Sequence, residues 1–271
     1  MISEAEVIAA LETNLRAAGI GAGSCIQVHC GIADLLAEVP AARSADFARR
    51  VVMLLLNLVG GDGTVLMSTD AIRDPREFAY RGRVFDADRM PSRRGTVTEI
   101  FRQTPGVLRS RHPWCNASAW GRHAAWLLAD HLKSRPFAMD RNSPWYKLTE
   151  LDADIVYIGE KPHAADLCVI LPQHVMGNDY PVGCFLDKPV RLRTRLENGD
   201  VDEVPVQLDV HDWSKAEVIA FIRRVDREYG LHRSFGNGAT AIVQCKAAVQ
   251  LQALMAELER GHAYPHMRYW V

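Results

Sequence analysis

Four arginines bracket one short amphipathic segment: Arg93 and Arg94 precede it, and Arg109 and Arg111 follow it. A guanidinium offers charge-assisted, forked hydrogen bonds to phosphate or carboxylate oxygens. Between the pairs, Thr96 and Glu99 have capping-box spacing, and Ile100 and Phe101 supply an apolar side. A helix N-terminus carries unpaired N–H groups and a positive dipole end, so a helix opening after Ser92-Arg93-Arg94-Gly95 suits a phosphorylated ligand. A solvated basic face beside a surface helix would show the same pattern. His29, His112 and His174 are bases by type, and Cys30 and Cys115 could carry an acyl group if a nearby arginine held the thiolate. Buried, inert cysteine is the commoner fate, and a histidine at a strand end is commonly just satisfied there.

The elements that must position these residues read as a layered α/β domain spanning residues 1–271. Ser3 and Glu6 start a helix with Val7, Ile8, Leu11 and Leu15 on one face, stopped by Gly19. A strand is expected over 25–29, a helix over 47–58, a glycine turn at 60–63 and a strand over 64–68. Residues 70–90 form a polar insertion with Arg73, Arg76, Arg81, Arg83 and Arg89 against an equal number of acids. Such a loop is usually disordered or part of a binding site. Helices follow at 122–132 and after Ser143-Pro144, then a strand at 154–159. Residues 191–208 alternate around Asn198-Gly199 as a hairpin does. A helix at 214–229, a strand at 239–244 and a helix at 246–260 complete the sheet and its cover, with no repeat and no linker.

Nearly half of the 271 residues are apolar and the net charge is −1, which indicates neither a general polyanion binder nor a nucleic-acid partner. The six cysteines include no C-x-x-C pair, so reduced thiols in a cytoplasmic protein are expected, with no structural metal. The acidic start is unlike a signal peptide, and the apolar run 51–59 is interrupted by Asn57, so no membrane segment is expected.

Taken in order, Pro91-Ser92-Arg93-Arg94-Gly95, Glu99, Phe101-Arg102, Pro105-Gly106-Val107, Arg109-Ser110, His112-Pro113 and Gly121 resemble the signature of the aminoglycoside 3-N-acetyltransferase (antibiotic N-acetyltransferase) family. Val28-His29-Cys30 resembles its V-H-S-S, and Gly63-Thr64-Val65-Leu66-Met67 its G-T-L-V-M-P. Ser143-Pro144 and Ile155-Val156-Tyr157-Ile158-Gly159 fit as well, and the likeness thins after Tyr180-Pro181. The resemblance implies a single domain with a central mixed sheet flanked by helices. It also implies transfer of an acetyl group from acetyl-coenzyme A to an amine, without a metal. By similarity, His29, Cys30 and Gly31 should lie beside the pantetheine arm, while Ser92, Arg93, Arg94, Gly95, Thr96, Arg109 and Ser110 should hold the phosphorylated end or the arm's amides.

One part of the pattern is broken. Where the family has T-x-L-H-x-x-E, a gap-free reading places Ile170 at the histidine that acts as base and Gln173 at the glutamate. Isoleucine accepts no proton, so the base must be found elsewhere, and a positioned base contributes about 10²–10⁴-fold. His174, four residues on, is one candidate, weakened by Pro172; a plain surface histidine is an equal reading. His112 is another, with a structural role at the Pro113 turn as its alternative. The balanced charges of 70–90 suggest a neutral or anionic amine acceptor, such as a nucleotide-linked amino sugar or a carrier-tethered intermediate. The alternative function is a relative that binds coenzyme A or a nucleotide without catalysis, or that uses a cysteine for acyl transfer or hydrolysis. A homodimer is left open.

Overall fold

The computed structural model describes residues 3–39, 44–159, 171–180, 185–208 and 215–261. Ile170, Cys168 and Cys184 lie outside the described residues.

Three hydrophobic runs, β1 (Cys25–Cys30), β2 (Thr64–Ser68) and β6 (Asp154–Ile158), form the parallel centre of the main sheet. The last two are buried along their whole length, as expected of strands covered on both faces. Antiparallel strands extend the sheet on both sides: β5 (Ala117–Gly121) and β4 (Leu108–Arg109) beyond β2, and β10 (Ile242–Lys246) and β9 (Arg233–Phe235) beyond β6. The order is β4-β5-β2-β1-β6-β10-β9. The chain leaves β1 toward β2 on one side and later returns with β6 on the other, so β1 is where the strand order reverses. In open α/β sheets, ligands bind at the carboxyl ends of strands at such a point.

One face of the sheet is covered by α1 (Glu4–Ala17) and α3 (Ser44–Val59), whose Leu11, Leu15, Phe47, Val51 and Leu55 join Ile26, Val28 and Val156 in one buried cluster. The expected Ser3–Glu6 capping box opens α1. A short helix, α2 (Ala33–Glu38), follows β1. The other face is covered by α6 (Ala124–Ala129), α7 (Pro144–Glu150), α8 (Leu171–Met176) and α10 (Ala247–Glu259), around Trp145, Leu148, Ile155 and Tyr157. Beyond them, α9 (Lys215–Tyr229) packs on α10 through Val225 and Leu254.

Several expectations shift. The helix expected over 122–132 is α6 followed by a separate 3-10 turn, and the strand expected from 239 begins at Ile242 after another such turn. The run 117–121, with two alanines and a serine, has little strand propensity but pairs along β2, and its Ala117 and Ala119 share a buried cluster with Ala124 and Leu127 of α6.

The insertion 70–90 is ordered. It contains α4 (Pro75–Tyr80), capped by Asp74, and β3 (Val84–Phe85), which pairs with β7 (Val190–Arg195). The expected hairpin is present as β7 and β8 (Val201–Val206). Phe78 and Phe85 pack on Leu192, Val204 and Val206 in a second, smaller core. These contacts turn part of a stretch that reads as a polar loop into one edge of a small three-stranded sheet.

Candidate functional site

The turn 92–95 and the helix α5 (Thr96–Gln103) stand at the carboxyl end of β2. The backbone N–H of Arg93 donates to Asp70 O at 2.7 Å, and Arg94 Nε donates to the Asp70 carboxylate at 2.6 Å. Asp70 lies two residues past the end of β2, so the turn is anchored close to the strand end. Phe101, wholly buried, seats α5 in the core beside Val97; its removal would cost about 3–5 kcal/mol.

The expected capping box at Thr96 is not formed. Gly95, at φ 122°, is the N-cap, with no side chain capping the first turn. Glu99 instead reaches back past the cap to accept the Ser92 N–H at 2.6 Å, and it also takes Arg102 Nη2 and Gln103 Nε2, each at 2.6 Å. Ser92 Oγ bonds Thr98 Oγ1 at 2.8 Å, and Thr98 Oγ1 donates to Gly95 O at 2.9 Å. The consequence is an exposed helix N-terminus without a side-chain cap, flanked by exposed Arg93 and Arg94. Burial pushes the Glu99 pKa up, but the bonds from Arg102 and the Ser92 N–H outweigh it and hold the carboxyl below its ordinary value.

Arg109 and Ser110, expected to touch ligand, face inward. Arg109 donates to Thr69 O, Ala87 O and Met90 O, and its Nε to Asn116 Oδ1 at 3.0 Å. Its guanidinium also lies 5.3 Å over the Phe85 ring. Burial pulls its pKa down to about 10, the nearby Arg102 adding to the effect. Arg109 therefore binds the strand end, the insertion and the 116–118 segment into one unit behind the arginine turn. Ser110 is buried and donates to His131 Nδ1 at 2.8 Å. Arg111 is paired with Asp88 at 3.1 Å and with Glu197 at 4.0 Å.

His112 is wholly buried. Its Nδ1 lies 2.5 Å from Trp114 O and 3.2 Å from the Trp114 N–H, and its Nε2 lies 3.0 Å from Ser134 O. Its ring stacks on His131 at 4.6 Å. Burial lowers its pKa to about 4 and that of His131 well below normal, so both are neutral packing groups at neutral pH. Both rings are packed in the interior behind the Pro113 turn.

His174 is buried on α8 between the rings of Phe137 and Phe185. The Met139 N–H donates to its Nδ1 at 3.0 Å, which leaves the proton on Nε2. Gln173 is fully buried with neither amide atom hydrogen-bonded among the described residues, so it does not orient His174.

At the end of β1, His29 and Cys30 are half-buried, and Gly31 donates its N–H to Ile158 O at 2.9 Å. Gly159 adopts φ 61°, and a Cβ there would lie 2.0 Å from Gly31 O, so the two loop starts pass at backbone contact. The His29 ring stacks on Tyr157 at 5.0 Å, and Gln27 Nε2 lies 2.8 Å from His29 Nε2.

On its other side, Tyr157 meets the edge of His232 at 6.1 Å. The His232 backbone N–H and Nδ1 both face Asp226 Oδ1, at 2.8 and 3.2 Å. Asp70, Tyr157, Asp226 and His232 were not singled out by sequence reasoning. For Asp226 and His232 the only sequence trace is their placement on either side of the Gly230 turn that ends α9. Among the described residues, no three His, Cys, Asp or Glu side chains converge as a metal site requires, and no helix is long and apolar enough to cross a membrane.

The fold is a mixed sheet whose order reverses at β1, with a helix start that has no side-chain cap beside it. The chain belongs to the aminoglycoside 3-N-acetyltransferase family, whose model matches residues 28–256. It is similar to the SPbeta prophage-derived aminoglycoside N(3')-acetyltransferase-like protein YokD of Bacillus subtilis (strain 168), 25% identical over 163 residues, 54% of this chain and 57% of the relative. It is also similar to aminoglycoside N(3)-acetyltransferase VIII of Streptomyces fradiae, 28% identical over 167 residues, 55% of this chain and 54% of the relative. The chain thus spans little more than half the length of these curated relatives. The fold resembles the solved binary complex of AAC-IIIb with CoASH, with TM-score 0.73 and 23% identity over 98% of this chain and 99% of that one.

Proposed function

We propose that this protein transfers an acyl group from acyl-coenzyme A to the amine of a small acceptor. The observation that carries the reading is the exposed, uncapped start of α5 between Arg93, Arg94 and Gly95 at the carboxyl end of the parallel strands. That arrangement suits the phosphates of coenzyme A, and the similar fold of AAC-IIIb was solved with that molecule. Ser92, Arg93, Arg94, Gly95 and Thr96 form the phosphate cradle, and His29, Cys30 and Gly31 flank the arm. Arg109 and Ser110 support the cradle from behind.

The acceptor we favour is a neutral or anionic amine rather than a polycation. The acids of the insertion are already engaged: Asp70 by Arg94, Asp74 as the cap of α4, Glu77 by Arg81, Asp86 by Arg195 and Asp88 by Arg111. Little uncompensated negative charge is left there to hold a polycation. A second reading, an aminoglycoside acceptor, is favoured by the name of the Streptomyces fradiae relative.

Calorimetric titration with coenzyme A tests the donor half. Binding to the wild type that weakens about 10-fold or more in Arg93→Ala and Arg94→Ala is expected, since a charge-assisted hydrogen bond contributes about 1.5–3 kcal/mol. No binding to the wild type would overturn the reading. Thiol release from acetyl-coenzyme A with a panel of amines, aminoglycosides included, separates the two acceptors. Release with none of them, despite binding, would favour a non-catalytic role.

A further inference from the structure

Tyr157 carries a second histidine contact besides the one to His29. Acyl transfer, the reaction proposed above and the premise of this inference, needs a base whose free nitrogen has a lone pair and whose other nitrogen is held by an acid. The rings already discussed do not meet that demand: at His29 the Gln27 amide nitrogen already lies 2.8 Å from Nε2. His112 and His131 have both nitrogens bonded in the interior, and His174 has its Nδ1 lone pair taken by the Met139 N–H.

His232 meets it. Asp226 Oδ1 accepts Nδ1–H at 3.2 Å and also takes the His232 backbone N–H at 2.8 Å, which fixes the ring against the end of α9. With the proton on Nδ1, the lone pair sits on Nε2. That Nε2 is buried and has no hydrogen-bond partner among the described residues, and the side chain is 5% exposed. A buried imidazole nitrogen left without a partner costs free energy, which a ligand proton or an entering polar group would recover. The ring sits 6.1 Å from Tyr157, which in turn stacks on His29 at the end of β1, so it lies one aromatic ring from the strand end where the arm is placed. Leu171, the first residue of α8, belongs to the same buried cluster as Tyr157.

We propose that His232, held by Asp226, is the base that replaces the missing family histidine. As the neutral acceptor amine attacks the thioester carbonyl, the C–N bond forms and Nε2 takes a proton from that nitrogen. The C–S bond then breaks, the electron pair leaves with sulfur, and the imidazolium returns its proton to give the free thiol. Asp226 keeps its negative charge throughout, stabilises the imidazolium, and acts as a positioning residue.

The test compares wild type, His232→Gln, His232→Ala and Asp226→Asn, each shown to be folded by its thermal melt. Thiol release from acetyl-coenzyme A is measured with a panel of primary amines, and coenzyme A binding by calorimetry. The expected result is a fall in kcat of about 10²–10⁴-fold in the His232 variants. Coenzyme A affinity and KM for acetyl-coenzyme A should stay within about threefold, and added imidazole should partly restore His232→Ala. Asp226→Asn should lower kcat less. An undiminished kcat in His232→Gln overturns the assignment while leaving the acyltransferase reading intact, whereas a wild type that binds no coenzyme A removes both. If no amine on the panel turns over, imidazole nitrogen NMR decides. The Nδ1–H form with signals that move on adding acetyl-coenzyme A supports the base, and an Nε2–H form or unmoved signals overturns it.

Discussion

Glu99 accepts the backbone N–H of Ser92 at 2.6 Å, across seven residues and the whole arginine turn. The bond makes the shape of the turn a property of the helix that follows it. A carboxylate that would ordinarily cap its own helix is used here to leave that helix start open.

Replacing Glu99 should therefore act at a distance. We expect Glu99→Ala to weaken coenzyme A binding about 5- to 50-fold by releasing the turn, although Glu99 need not touch the ligand. Isothermal calorimetry checks this, and unchanged affinity would show that the turn holds its shape without the bond. Because the Glu99 pKa is lowered in the folded state, the stability it contributes is present at neutral pH. It fades as pH falls below the ordinary value of 4.5, where the unfolded chain takes up the proton first.

Arg109 is expected to behave as a structural residue. Arg109→Ala removes a donor from three carbonyl oxygens and one of the two donors from Asn116 Oδ1, for a loss of about 2–4 kcal/mol. Arg109→Lys should recover little, because an ammonium lacks the fork that reaches Thr69, Ala87 and Met90 together. Denaturant melts measure this directly. A stable Arg109→Ala that only loses coenzyme A would instead mean direct ligand contact.

The stacked His112 and His131 should make the protein acid-sensitive. Each is neutral in the fold with its pKa lowered by burial, while the unfolded chain titrates near 6.5. Between that value and about 4, the unfolded state binds more protons, so stability falls as pH falls. His112 alone accounts for roughly 3 kcal/mol across that interval. Melts from pH 7 to pH 4 should show the slope, and it should shrink in His112→Asn; an equal slope in the variant would count against this origin.

Gly159→Ala should be poorly tolerated. The new Cβ would sit 2.0 Å from Gly31 O at a φ of 61°, so the end of β1 must move. We expect a loss of about 3 kcal/mol or more, together with weaker coenzyme A binding. Gly199→Ala, whose φ of 89° is strained but whose surroundings are open, should cost less and leave binding unchanged.

Local pattern carried much of this molecule in the sequence. Alternating and continuous apolar runs marked β1, β2, β6 and the β7–β8 hairpin, helical spacing marked α1, α3, α9 and α10, and the ordered motif from Pro91 to Gly121 marked the family. These signals are short-range, because a strand's burial and a helix's face are written in consecutive residues. Only the tertiary structure decided where Arg109, Ser110 and His112 make their bonds, since direction is not encoded in residue type: all three reach groups 21 to 40 residues away. The insertion was likewise settled by β7, more than 100 residues on, which gives Val84 and Phe85 a strand to pair with. The meeting of His29, Tyr157 and His232 arises from strand order alone, because β6 lies between β1 and the β10–β9 pair and sets its tyrosine between two histidines 203 residues apart.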